Sequence, residues 1–225
     1  LFVTLKDLYV DGMIHVSQLG DDFFVFDQPS QSLIGQSRGQ TFSLGDEVKK
    51  ITEEAMSGRL DFFESLIQRV ALLKGMEHKK VVEICANLPL MKGSYEIVKE
   101  LKKMDYKVVC FSGGFRVGTS PASEKLGLDA DFSNILHEKD GILTGLVGGD
   151  MMFGYSKGDM IRRLQNLLKI SKENTLVCGD GANDLSMFAE ANTRVAFCAK
   201  DVLKKEANII VDTKDLTKIL EHIKA

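Results

Sequence analysis

Val177-Cys-Gly-Asp180-Gly-Ala-Asn183-Asp184-Leu-Ser-Met187 is the stretch whose reading decides the fold. The short β-branched run Thr175-Leu-Val-Cys178 enters a Gly-Asp-Gly turn, and an apolar helix follows Asp184. Two carboxylates and an amide at the carboxyl end of a buried strand suit a hard cation that wants oxygen ligands, Mg2+ above all. A plainer reading exists, with Asp180-Gly181 as an ordinary turn and Asp184 as a carboxylate favoured at a helix start. A turn needs only one such residue, so the full set argues for chemistry. A calcium loop is excluded, because Ala182 falls at the third ligand position and Leu185 at the required glycine.

Working outward, helices and strands alternate on both sides of this stretch. Helices are expected at 94–104, 116–126, 156–169, 183–191, 200–206 and 214–224. Strands are expected at 107–111, 131–135, 174–178, 194–198 and 208–211, with a hairpin-like stretch at 142–153. Strands spaced by helices of this length imply parallel βαβ units, hence an α/β doubly wound parallel sheet. Between Lys49 and Pro89 the pattern is helical instead, with amphipathic segments at 46–57, 61–74 and 77–87.

Two further features fall in this frame. Ser112-Gly-Gly-Phe115 follows the apolar run Val108-Val-Cys-Phe111. A hydroxyl and backbone N–H groups at such a turn make a phosphate cradle, although SGG alone is equally a capped strand-to-helix turn. Lys157 opens a helix after the Gly-rich Leu143-Thr-Gly-Leu-Val-Gly-Gly-Asp150. A fixed ammonium there would neutralise phosphate charge, whereas most lysines are simply exposed.

Composition narrows the classes. The chain has 225 residues, 44% hydrophobic content and a net charge of −3, so a real core is affordable and no overall basic footprint for nucleic acid exists. Cys85, Cys110, Cys178 and Cys198 stand singly in apolar segments, as expected of reduced thiols in a cytoplasmic protein. No apolar run reaches the ~20 residues of a membrane helix. His15, His78, His137 and His222 lack metal-ligand spacing.

SGGF, the lone Lys157, GDGANDLSMF and AFCAK, in that order, resemble the phosphoserine phosphatase family of the haloacid dehalogenase superfamily over residues 46–225. The resemblance implies a Rossmann-like core at 89–225 under a helical cap at 46–88. It implies Mg2+-dependent hydrolysis of O-phospho-L-serine to L-serine and phosphate, the last step of serine synthesis, through an aspartyl-phosphate. By the same resemblance Asp180 is the Mg2+ ligand and Asp184 supports the metal shell. Asn183, Ser112 and Lys157 would act at the attacked phosphorus. Met56, Phe62, Arg69, Ser112 and Gly113 would bind substrate, with Arg69 on its carboxylate. The partner is thus a small phosphorylated molecule. The family's nucleophile, its acid/base Asp and a substrate-binding Glu belong to an N-terminal DxDST strand and the residues after it, and this sequence contains no such motif. Loss of that central strand would bare both its neighbours.

Residues 1–45 follow other rules. LFVTL, MIHVSQL and FFVF are β-like, separated by polar turns. With DLYVDGMIHVS and LGDDFFVFD, they resemble part of the OB-fold RNA-binding domain of ribonuclease R-type exonucleases. The aromatic residues there meet five aspartates against Lys6 and Arg38, which disfavours RNA. Gly45-Asp-Glu-Val-Lys-Lys-Ile51 fits both resemblances, as a recombination or assembly join would, so the chain is expected to be a chimeric fragment. VFDQPS at 25–30 imitates the family's VFDxDS and would put Asp27 at the nucleophile. Pro29 then stands at the acid/base position and cannot protonate a leaving oxygen. The rival expectation is therefore a catalytically inactive chain that binds Mg2+, phosphate or RNA at most.

Overall fold

The computed structural model describes residues 2–3, 24–27, 32–35, 41–43, 51, 61–86 and 88–223. Its described strands form a seven-stranded sheet and a separate three-stranded one. The large sheet contains β1 (Phe2–Val3), β5 (Val109–Phe115), β6 (Ala130–Lys139), β7 (Ile142–Gly149), β8 (Leu176–Gly179), β9 (Thr193–Phe197) and β10 (Ile209–Val211) in the order β10-β9-β8-β1-β5-β6-β7. The pairs β10–β9, β9–β8, β8–β1, β1–β5 and β5–β6 are all parallel. The small sheet is antiparallel, with β2 (Phe24–Asp27), β3 (Ser32–Gly35) and β4 (Thr41–Ser43) in sequence order.

The chain divides into two compact units, one of Leu1–Leu8, Val82–Ile135 and Gly149–Ala225, the other of Tyr9–Val81 and Leu136–Gly148. The first unit has the doubly wound α/β architecture that the strand–helix alternation requires. Both faces of a parallel sheet must be covered, and alternate residues of one strand serve opposite layers. Leu176 and Cys178 pack with Ile97, Val98 and Leu101 of a helix at Ser94–Lys103 on one face. Val177 packs on the other face, in a cluster with Phe111 of β5, Ile161 of a helix at Ser156–Leu168, and Met187. Phe111 is fully buried and stacks obliquely on Phe132, with ring centroids 5.5 Å apart.

Several expectations are corrected. The neighbours expected to be bared, β5 and β8, are joined by β1: Phe2 pairs with Val109 and Val177, and Val3 with Cys110 and Cys178. LFVTL and FFVF were expected in one β module, yet β1 and β2 lie in different sheets. Asp27 ends β2 and pairs with Ser32, so it does not lie on the central strand of the large sheet. The short strand expected at 131–135 runs on to Lys139, and its hairpin is with β7 rather than within 142–153. The turn is Asp140-Gly141, whose φ values of 53° and 78° are those of a type I′ turn, the twist-matched hairpin connection. The expected last α-helix is a 3-10 helix, Leu216–His222. MIHVSQL and the helix expected at 46–57 lie outside the described residues, apart from Ile51.

In the second unit, the helix Phe62–Ala71 begins with a capping box, Glu64 N–H to Asp61 Oδ1 at 2.7 Å and Asp61 N–H to Glu64 Oε2 at 3.1 Å. Gly75 N–H and Leu143 N–H bond to Leu143 and Met76 carbonyls, tying the segment after this helix to β7. No described helix is long and apolar enough to cross a membrane.

The 3-10 helix is anchored by Asp215, which accepts from Thr217 N–H at 3.0 Å and pairs with Lys92 Nζ at 2.8 Å. Lys92 first, then Thr217, holds the Asp215 carboxyl down at about 2. A depressed carboxylate contributes stability above its unfolded value and loses it as pH falls through the folded one. The melting-temperature difference between wild type and Asp215→Asn is therefore expected to be full at pH 5 and to shrink between about pH 4 and pH 2.

Candidate active site

The site lies at the carboxyl ends of β5 and β8, where open parallel sheets bind ligands. Ser112, Gly113 and Gly114 are part of β5, and its register with β6 is irregular between Phe111 and Phe115. Phe115 then caps the helix Arg116–Leu126 without a side-chain hydrogen bond. Ser112 is thus no helix cap. It is buried, and its Oγ accepts from Gly114 N–H at 3.0 Å.

At the end of β8 the chain turns sharply through a 3-10 helix, Ala182–Asp184, into a one-turn helix, Leu185–Phe188. The turn closes on Asp184, which is fully buried. Its Oδ2 accepts from Asp180 N–H at 2.8 Å and Gly181 N–H at 3.2 Å, and its Oδ1 accepts from Lys157 Nζ at 2.6 Å. Lys157 is itself buried, so the ion pair is desolvated on both sides. Burial first, then the carboxylates of Asp184 and Asp180, pushes the Cys178 thiol far above its usual range. It is a neutral packing group, not a nucleophile.

Two glycines permit this closure. A Cβ on Gly179 would stand 2.5 Å from Asp184 Oδ2, and one on Gly158 would stand 2.4 Å from the Ser186 carbonyl oxygen. The start of the Lys157 helix therefore presses directly on the segment after Asp184. Lys200 N–H reaches back to the Asp180 carbonyl at 2.9 Å, fixing the turn from its other side.

The register across β1 relates the two halves. Cys110 and Cys178 both face Val3, so Ser112 and Asp180, each two residues further on, stand at matching heights. Two strand spacings separate β5 from β8, about 10 Å. Asp180 and Asn183 are half-buried at the turn. Gly113, next to Ser112, is also half-buried.

In the other unit, Arg69 is half-buried near the end of its helix, its Nε donating to the Ser65 carbonyl at 3.2 Å, and Phe62 opens that helix. Met56 lies outside the described residues. Sequence reasoning missed Asn134, whose amide joins the Gly113 carbonyl to Met151. The signal available was a single amide beside a serine in a strand that also carries Asp131, His137, Glu138 and Lys139, which is too common to single out.

Among the described residues no three His, Cys, Asp or Glu side chains gather into a metal-holding cluster. Mg2+, however, is commonly held by one or two carboxylates with water and substrate phosphate completing its shell. Asp180, at the strand end, fits the direct role. Asp184 fits an indirect one, since its two oxygens already serve Lys157 and the turn.

A family model for haloacid dehalogenase-like hydrolases matches residues 26–192. The phosphoserine phosphatase of Wolinella succinogenes is 59% identical over 202 residues, covering 88% of this chain and 98% of that protein. That of Methanocaldococcus jannaschii is 45% identical over 179 residues, 80% of this chain and 85% of that one. A solved structure described as a phospho-aspartyl intermediate analogue of phosphoserine phosphatase superposes with a TM-score of 0.75 at 44% identity, covering 80% of this chain and 87% of that one. The chain belongs to the haloacid dehalogenase-like hydrolases and, within them, to the phosphoserine phosphatase family. The family match begins at Phe26 and so includes Asp27, whereas the strand between β5 and β8 is β1.

Removing one member of a buried pair leaves the other charge uncompensated, at a cost of about 3–5 kcal/mol. Lys157→Met is expected to lose that much in urea unfolding. The double variant with Asp184→Leu should lose less stability than the two single losses summed, a coupling read from the double-mutant cycle.

Proposed function

We propose that this site binds O-phospho-L-serine with Mg2+ and hydrolyses it to L-serine and phosphate. Supporting this are the relatives named above and a solved substrate-bound phosphoserine phosphatase complex that is 44% identical with a TM-score of 0.75. The observation that carries it is the buried Lys157–Asp184 pair, a cation kept at the carboxyl edge of the sheet at the cost of desolvation. A phosphoryl group in transfer spreads negative charge over its equatorial oxygens, and preorganised donors stabilise that charge.

Each residue then has a task. The Ser112 hydroxyl and the backbone beside Gly113 receive phosphate oxygens. Lys157, aimed by Asp184, neutralises their charge. Asn183 orients the group under attack. Asp180 would hold Mg2+, which supplies a Lewis acid for the phosphoryl oxygens. Arg69, with a planar fork suited to a carboxylate, would select the amino-acid end of the substrate, and Met56 and Phe62 would serve its binding.

A second reading, binding without turnover, is favoured by the central strand. Phe2 and Val3 carry no carboxylate, and neither do Thr4, Leu5 and Lys6 after them. Phosphate release from O-phospho-L-serine with Mg2+ decides between the readings. Hydrolysis by wild type that falls at least about a hundredfold in Asp180→Asn supports the first. A folded protein that binds phosphoserine and releases no phosphate supports the second. Arg69→Ala is expected to weaken phosphoserine binding about tenfold while leaving inorganic phosphate binding unchanged.

A further inference from the structure

We propose that Asn134 is a positioning residue that sets both the Ser112 hydroxyl and the approach of Lys157 to the phosphate. This rests on the reading of the site as a phosphate pocket. Asn134 lies on β6, outside the sequence motifs, and is fully buried. Its Nδ2 donates to the Gly113 carbonyl and to the Met151 carbonyl, each at 3.1 Å, and its Oδ1 accepts from Met151 N–H at 3.0 Å. Two carbonyls and one N–H fix which end of the amide is which. Both of its N–H donors are committed.

The first bond governs Ser112. Across a trans peptide the C=O and the following N–H point in opposite directions. Holding the Gly113 carbonyl therefore aims the Gly114 N–H, which donates to Ser112 Oγ at 3.0 Å. An oxygen that already accepts a hydrogen bond presents its own proton elsewhere, here as a donor to an anion. Without Asn134 that peptide can flip, and the hydroxyl loses its fixed role.

The other two bonds govern Lys157. Met151 begins the short segment that enters the Lys157 helix, and Phe153 N–H closes on Ser156 Oγ at 3.1 Å to start it. The segment has little slack, so anchoring Met151 fixes the helix start. Gly149 confirms how closely the backbone crosses this amide. Its φ is +138°, and a Cβ there would stand 2.7 Å from Asn134 Cα and 3.1 Å from Oδ1. Aspartate at 134 would keep the shape and turn a carboxylate toward two carbonyl oxygens.

The test uses the full chain and two readouts, the Gly114 amide resonance and the affinity for inorganic phosphate with Mg2+. Asn134→Asp should move the Gly114 resonance and weaken phosphate binding about tenfold, the loss of one well-placed hydrogen bond to a charged group. Ser112→Ala should weaken it similarly, and the double variant should lose less than the two losses summed, because the part carried through Ser112 is shared while the part carried through Lys157 remains. An unmoved Gly114 resonance, or losses that add, overturns the proposal whatever happens to the melting temperature. Asn134→Ser, smaller and still polar, serves in the same way where the aspartate variant does not fold. Wild type that binds no phosphate overturns the functional reading, and the Gly114 resonance still decides this one.

Discussion

The pairing of Lys157 with Asp184 is the constraint around which the rest of the core is arranged. Neither group can be ionised alone in a dry interior, so each requires the other within hydrogen-bond reach. Meeting that requirement dictates the turn after β8, with Asp180 and Gly181 N–H groups converging on the same carboxylate. It dictates glycine at 179 and at 158, where a methyl group would hold the partners apart. It also couples two stretches distant in sequence, the entry to the Lys157 helix and the turn that carries Asp180. A charge kept in place this way needs no rearrangement when an anion arrives, which is how preorganised sites lower a barrier.

Much of this was legible beforehand because it depends on local chemistry. Alternation of β-branched runs with amphipathic helices required a parallel sheet, and the GDGAND turn announced itself by its density of unusual residues. Lys157 could be placed only by order along the chain. That its ammonium would be buried against Asp184, and not exposed, follows from packing no window of sequence reports. Asn134 was invisible for the same reason. An asparagine in a strand is worth noticing only when the backbone of two other segments crosses it. Asp140-Gly141, by contrast, is a readable hairpin signal just before the stretch 142–153 where the hairpin was expected.

The amino-terminal region shows where resemblance and physics part. LFVTL and FFVF read alike as β segments, and sequence likeness joined them in one module. The described strands separate them, because an apolar dipeptide satisfies the exposed edges of β5 and β8 at once, on both sides. Backbone hydrogen bonding does not ask for the family's residues, only for an extended chain with compatible side chains. The chemistry is less tolerant. β1 completes the sheet with two apolar residues, so the carboxylates of the site stand on the flanking turn after β8 and not on the central strand.

That strand also joins parts of the chain that lie far apart in sequence. Phe2 and Val3 lie between β5 and β8, whose residues come at 109–115 and 176–179. During synthesis both residues emerge well before either partner exists, and the second flank arrives later than the first. Contacts between such distant residues are slow to form and leave edges open meanwhile. The large sheet is thus two halves, β5-β6-β7 and β8-β9-β10, from separate stretches of the sequence, held together through a strand that precedes both.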